Sequence, residues 1–190
     1  MPPNLLDASD SLLVALIADG QADGAEVLIS RYGRSLTGFL RRALGGAPEH
    51  DDLFQETWMR VVRSAHRFDP SRPFPPWLFR IALNLVREFW AREKKRATVI
   101  GPGGTELASE RAAAGDSAEE TLAARERAKT LVAALDALPG HLAETIVLRY
   151  FEEMSEREVA CRLAIPPGTV KSRLHHGIKR LGTMLEGKLP

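Results

Sequence analysis

Residues 155–181 read SEREVACRLAIPPGTVKSRLHHGIKRL, and this stretch carries two short helices separated by a forced turn. Ser155 and Glu158 stand at the S-x-x-E spacing of a capping box, in which each side chain satisfies a backbone amide at the helix start. Val159, Ala160 and Leu163 follow at helical spacing and give the first helix an apolar face. Ile165-Pro166-Pro167-Gly168 ends it, because proline lacks an amide donor and pushes the residue before it out of the helical region. Thr169 is then placed to cap a second helix, with Val170, Leu174, Ile178, Leu181 and Leu185 along one stripe. The opposite surface carries Lys171, Ser172, Arg173, His175, His176, Lys179 and Arg180, a concentration of donors and positive charge. This order predicts a helix-turn-helix whose second helix lies in the major groove of DNA. Lys171, Ser172 and His175, near the helix start, are candidates for base edges; Arg173, Lys179 and Arg180 suit phosphates, and Thr169 and His176 complete the DNA-facing set. A solvated basic face on an ordinary helical hairpin is the competing interpretation.

Outward from this motif, apolar residues recur at helical spacing and no Val/Ile/Thr-rich run alternates with period two, so the chain is expected to be all-α. Leu12, Leu13, Leu16 and Ile17 mark a first helix ending at Asp19-Gly20; Leu28, Tyr32, Leu36, Phe39 and Leu40 mark a second that stops at Gly45-Gly46. A third begins near Asp51, with acidic residues at the positive end of its dipole, and buries Leu53, Phe54, Thr57, Trp58, Val61 and Val62. Four prolines in HRFDPSRPFPP (66–76) separate it from a fourth helix, Trp77 to about Arg96, with Pro75 or Pro76 in its first turn. Residues 97–119 turn small and polar and are expected to form a flexible linker; Gly101, Gly103 and Gly104 there lack the strand and the Gly-Lys-Ser/Thr of a phosphate loop. Helical pattern resumes near Glu120, breaks at Pro139-Gly140, and continues through Leu142, Ile146, Val147, Tyr150 and Phe151. The expected architecture is therefore two small helical domains, 1–96 and 120–190, joined by the linker.

Lys and Arg number 26 against 25 Asp and Glu, so any nucleic-acid signal must come from local clustering and not from the net charge of +1. Cys161 is the only cysteine, which excludes an intramolecular disulfide and a cysteine zinc cluster; it is expected to be a small buried hydrophobe. His175 and His176 lack a spaced carboxylate or cysteine set, so neither a metal nor another cofactor is expected. No signal segment or apolar run of about 20 residues is present, so a cytoplasmic protein without membrane insertion is expected. No nucleophile–base pair, metal spacing or phosphate loop speaks for an enzyme.

Two stretches, DDLFQETWMRVVRSAHRFDP (51–70) and RPFPPWLFRIALNLVREFWAREKKR (72–96), resemble the bacterial sigma factors of the small extracytoplasmic-function (ECF) class. LDALPGHLAETIVLRYFEEMSEREVACRLAIPPGTVKSRLHHGIKRL (135–181) is similar to the carboxy-terminal domain of the same family. The resemblance implies a protein without chemistry of its own that binds core RNA polymerase and promoter DNA. Domain two, residues 1–96, would read and melt the minus-ten element, and domain four, residues 120–190, would bind minus-thirty-five. Contacts with the clamp helices and flap of the two large polymerase subunits, and control by an anti-sigma protein, are implied in the same way.

Asp52, Gln55 and Glu56 share one helix face through their i, i+3, i+4 spacing and match the family's motif for the clamp helices. An acidic, amide-bearing face suits a basic partner helix. On the fourth helix, Asn84 matches the position associated with a flipped minus-ten base, and its amide can both donate and accept. Arg80 and Arg87, with the terminal cluster Arg92, Lys94, Lys95 and Arg96, are candidate phosphate contacts. Trp77 is the candidate for base stacking, while Phe79, Phe89 and Trp90 sit at spacings that equally suit packing. The chain departs from the family at His176-Gly177, where arginine and alanine are common: one fixed charge becomes titratable, and glycine costs about 1 kcal/mol of helix stability relative to alanine. The alternative to a sigma factor is an autonomous helix-turn-helix regulator whose first 96 residues sense a signal or dimerise. Such a protein has no need of the Asp52-Gln55-Glu56 face or the basic end of the fourth helix.

Overall fold

The computed structural model describes residues 5–100 and 118–186, with side chains for 5–96 and 119–186. The expected linker glycines and the rest of 101–117 lie outside the described residues. Those residues are helical throughout their regular structure: α1 (Asp10–Ala18), α2 (Asp23–Ala43), α3 (His50–Ser64), α4 (Phe74–Ile100), α5 (Ala118–Asp136), α6 (Gly140–Ile146), α7 (Glu156–Leu163) and α8 (Pro167–Leu185). A π-helical turn, Val147–Phe151, continues α6.

Local chemistry explains where these elements begin. The Ser9 hydroxyl accepts the Leu12 amide at 3.3 Å and starts α1. Pro75 and Pro76 fall in the first turn of α4, where a missing amide costs nothing, so the helix starts at Phe74, three residues before the expected Trp77. It also runs on to Ile100. The fourth helix is therefore longer at both ends than periodicity suggested. In the last domain the helix expected across Leu142 to Phe151 changes pitch after Ile146, where the Glu152 amide donates back to the Val147 carbonyl at 3.1 Å.

The core of the first four helices gathers Leu13, Leu28, Leu36, Leu40, Val61, Phe74, Leu78 and Phe79, all nearly inaccessible to solvent. Phe74 lies 5.4 Å from Tyr32 and stacks 6.5 Å from Trp58, joining α2, α3 and α4 through one aromatic cluster. The later helices bury Val132, Leu135, Leu138, Leu148, Val159, Val170 and Leu174, and this set is continuous with the first. Some positions assigned to the core are not in it. Val62 and Ile178 are exposed, at the edges of their stripes where 100° per residue carries them past the packed face. Cys161 is exposed on α7 because Val159 and Ala160 already take that short helix's inward positions.

Candidate nucleic-acid interface

Three surfaces carry the residues singled out in the sequence. On α3, Asp52 and Gln55 project into solvent one turn apart, and exposed Met59 continues their row one turn further. Glu56 lies on the same face but is engaged: its carboxylate pairs with Arg60 at 3.1 Å and Arg63 at 3.7 Å. Arg60 in turn forks onto Glu88 of α4 at 2.8 and 2.7 Å. The guanidinium holds the Glu88 carboxyl below the usual carboxylate range, and the bidentate geometry fixes α3 to α4.

On α4, Arg80, Asn84 and Arg87 fall on one exposed face at helical spacing, and the Asn84 side-chain oxygen accepts from Arg87 at 3.3 Å. The exposed cluster Arg92, Lys94, Lys95 and Arg96 lies further along the same helix, so the basic groups extend about 18 Å beyond Asn84. Arg96 pairs with Glu93 at 3.2 Å. Trp77 is half-buried, with its ring 5.2 Å from Phe68 and 5.8 Å from Phe74. Of the other aromatics, Phe79 and Phe89 are core residues, and the Trp90 indole donates to the Ala43 carbonyl at 3.2 Å. Packing accounts for these three.

A groove of about 340 Å³ between α3 and α4 adds residues that sequence reasoning missed. Arg60, Arg63, Ser64 and Arg67 line it opposite Ile81 and Asn84. Their i, i+3, i+4, i+7 spacing is a signal visible in the sequence, overshadowed by the acidic face at the start of α3.

The helix-turn-helix is built as its residues dictate, with one exception. The Ser155 amide donates to Glu158 at 2.7 Å and the Glu158 amide to the Ser155 hydroxyl at 3.3 Å, completing the capping box. Helix α7 then closes through Ala164, whose φ of 51° places it in the left-handed region; the Ile165 amide reaches back to the Ala160 carbonyl at 3.0 Å. Pro166 is extended because Pro167 follows it, and Pro167 opens α8. Thr169 is therefore inside the first turn and does not cap the helix: its own amide donates to the Pro166 carbonyl at 2.9 Å.

Along α8, Lys171, Ser172, His175, His176, Lys179 and Arg180 are all exposed, and their spacing makes them a single face. Arg173 and Thr169 are half-buried at its margin. Gly177 has a structural reason that its helix propensity hid. A Cβ there would stand 2.8 Å from Cδ1 of Ile146, so glycine lets α8 cross α6 closely.

Residues 28–96 match the family model for sigma-70 region 2, and residues 128–181 match that for sigma-70 region 4. Over 173 residues the chain is 31% identical to the ECF RNA polymerase sigma factor SigW of Bacillus subtilis, covering 89% of this chain and 92% of that one. It is 31% identical over 167 residues to the RNA polymerase sigma factor CarQ of Myxococcus xanthus, covering 88% and 92%. It is also similar to CnrH of Cupriavidus metallidurans, 31% identical over 183 residues, covering 94% of this chain and 95% of that one. The structure of CnrH in complex with the cytosolic domain of CnrY aligns at 26% identity and a TM-score of 0.47, covering 93% of this chain and 97% of that one.

Proposed function

The chain belongs to the ECF class of sigma-70 factors, and from that premise we propose that Asp52 and Gln55 on α3 dock it on the polymerase clamp helices while α4 and α8 engage the two promoter elements. As a sigma factor it is not an enzyme: it binds core RNA polymerase and directs promoter-specific initiation. The observation that supports the division of labour best is the separation of three exposed polar faces on one chain: acidic on α3, basic with an amide on α4, basic with histidines on α8. In this assignment residues 1–96 form domain two and residues 120–190 domain four.

Domain two contributes Arg80, Asn84 and Arg87 to the minus-ten element, with Arg92, Lys94, Lys95 and Arg96 on flanking phosphates and Trp77 at the edge of the site. Domain four reads minus-thirty-five through Lys171, Ser172 and His175, with Lys179 and Arg180 on phosphates. The flap of the polymerase is the second docking site, and the family resemblance supports an anti-sigma partner and action in the cytoplasm. No helix among the described residues is long and apolar enough to cross a membrane.

Run-off transcription with purified core polymerase over a library of genomic promoter fragments tests this assignment. Promoter-dependent transcripts are expected from the parent. Asp52→Ala with Gln55→Ala should weaken core binding about tenfold, as loss of an interface anchor does. Lys179→Ala with Arg180→Ala should spare core binding and reduce the salt dependence of minus-thirty-five binding by about one unit of slope per cation removed. Equal loss of core binding in both double variants would refute the division.

A further inference from the structure

Two imidazoles stand side by side on the outward face of α8. His175 and His176 are both exposed, with ring centroids 5.7 Å apart and planes inclined at 60°. At about 100° per residue they fall on either side of the line through Ser172 and Lys179, and so flank the middle of the DNA-facing surface. His175 lies toward Lys171, on the base-reading side. His176 lies on the phosphate side, with Arg180 one turn beyond it and Arg173 at i−3. Its direction is fixed from behind. Gly177 is buried, and a Cβ there would stand 2.8 Å from Cδ1 of Ile146, so α8 is seated too closely on α6 to roll about its axis.

The fixed charges around the two rings on α8 are all positive. Lys171 and Lys179 stand one turn to either side of His175; Ser172 stands one turn before His176 and Arg180 one turn after it. The helices packed against α8 spend their carboxylates elsewhere. On α5, Glu126 pairs with Lys129 at 2.5 Å and Asp136 with Arg87 at 3.1 Å. On α6, Glu144 is drawn toward Arg72 at 3.9 Å, and His141 is exposed. On α7, Glu158 closes the capping box and Arg162 reaches Asp10 at 3.3 Å, while Glu156 and Arg157 are exposed. Among the described residues the one histidine with a carboxylate in ion-pair distance is His50, beside Asp51 at 3.5 Å. An imidazolium on α8 therefore finds its partner in the ligand: a phosphate oxygen favours the charged ring through a charge-assisted hydrogen bond.

We propose that His176 is a proton-dependent phosphate contact, so that minus-thirty-five binding takes up a proton and the upstream anchor of this chain tightens as pH falls. This rests on the minus-thirty-five assignment made above. Lys179 and Arg180 on the same face hold their charge across the physiological range, whereas an imidazole ordinarily gains its charge near pH 6.5. The face thus combines a constant attraction for DNA with one set by proton concentration. Promoter occupancy then follows pH through one exposed side chain, with the turn and the capping box left as they are.

The test compares holoenzymes reconstituted with the parent, His176→Ala and His176→Arg on one promoter duplex identified by run-off transcription. Affinities are measured at constant ionic strength from about pH 5.5 to about pH 8.5, a range that spans imidazole titration. His175, Glu152 and the titrating groups of the polymerase are common to all three, so the ratio of parent to His176→Ala affinity isolates one ring. That ratio should be near unity at the alkaline end and rise about tenfold at the acid end, the effect of one pKa unit of differential interaction. The ratio of His176→Arg to His176→Ala should be high and flat. The salt slope of the parent should steepen by about one unit on acidification, and that of neither variant should. A flat parent ratio, or an equal rise in His176→Arg, would overturn the proposal. Lys179→Ala with Arg180→Ala separates the two readings. If it weakens binding while the parent ratio is flat, the proton-coupled contact alone falls; if neither it nor a scrambled minus-thirty-five sequence changes affinity at any pH, the assignment falls and the contact with it.

Discussion

Ala164 and Glu152 show how single side chains set the energetics of the last domain. Ala164 occupies the left-handed region with φ 51° and ψ 45°, a conformation that costs an L-residue roughly 1–2 kcal/mol and glycine little. Ala164→Gly is expected to raise the unfolding free energy by about 1 kcal/mol in denaturant titration and to leave DNA affinity unchanged. Glu152 sits largely out of water, with one carboxylate oxygen lacking a hydrogen-bond partner. Burial pushes its pKa from 4.5 up to about 7, with Asp10 adding to the rise and Arg162 and the Ser35 hydroxyl opposing it. Because the folded chain retains that proton where the unfolded chain has lost it, stability falls as pH rises from about 4.5 to about 7. Glu152→Gln should flatten that part of the stability profile; an unchanged slope would assign it to another group.

At the scale of elements, periodicity and capping made most of the fold legible, and the departures have physical causes. The capping box at Ser155 and Glu158 was readable because it depends only on local spacing. The turn after it was located correctly but assigned to the wrong residues: the proline pair makes Pro166 extended and Pro167 the first helical residue, so Gly168 is inside α8 and Ala164 carries the reversal. Gly177 looked like a weakness because helix propensity is local, whereas its contact with Ile146 comes from another helix. A double-mutant cycle checks that account. Gly177→Ala alone must displace a buried isoleucine methyl; combined with Ile146→Val, which removes that methyl, it should gain helix stability. The two substitutions are expected to couple favourably by about 0.5 kcal/mol or more. Strict additivity would mean that α6 yields without resistance.

For the whole molecule, the sequence pointed to three functional faces but not to how the two halves meet. Exposure of Asp52 and Gln55 on α3 and of Lys171, Lys179 and Arg180 on α8 followed from spacing, whereas Arg173 is half-buried. The pairing of Arg60 with Glu88, the groove carrying Arg63 and Arg67, and the contact of Phe151 with Phe39 and Phe79 did not, since each depends on residues distant in sequence or on a second helix. The central claim is that α4 and α8 act as two anchors joined through polymerase, which multiplies their individually modest affinities. Footprinting of one promoter fragment by the free chain and by the reconstituted holoenzyme tests it most directly. The account predicts two protected patches with polymerase, the upstream one erased by Lys171→Ala with Lys179→Ala and the downstream one by Arg80→Ala with Arg87→Ala, and no downstream patch without polymerase. A single patch, equally strong with and without polymerase, would contradict it.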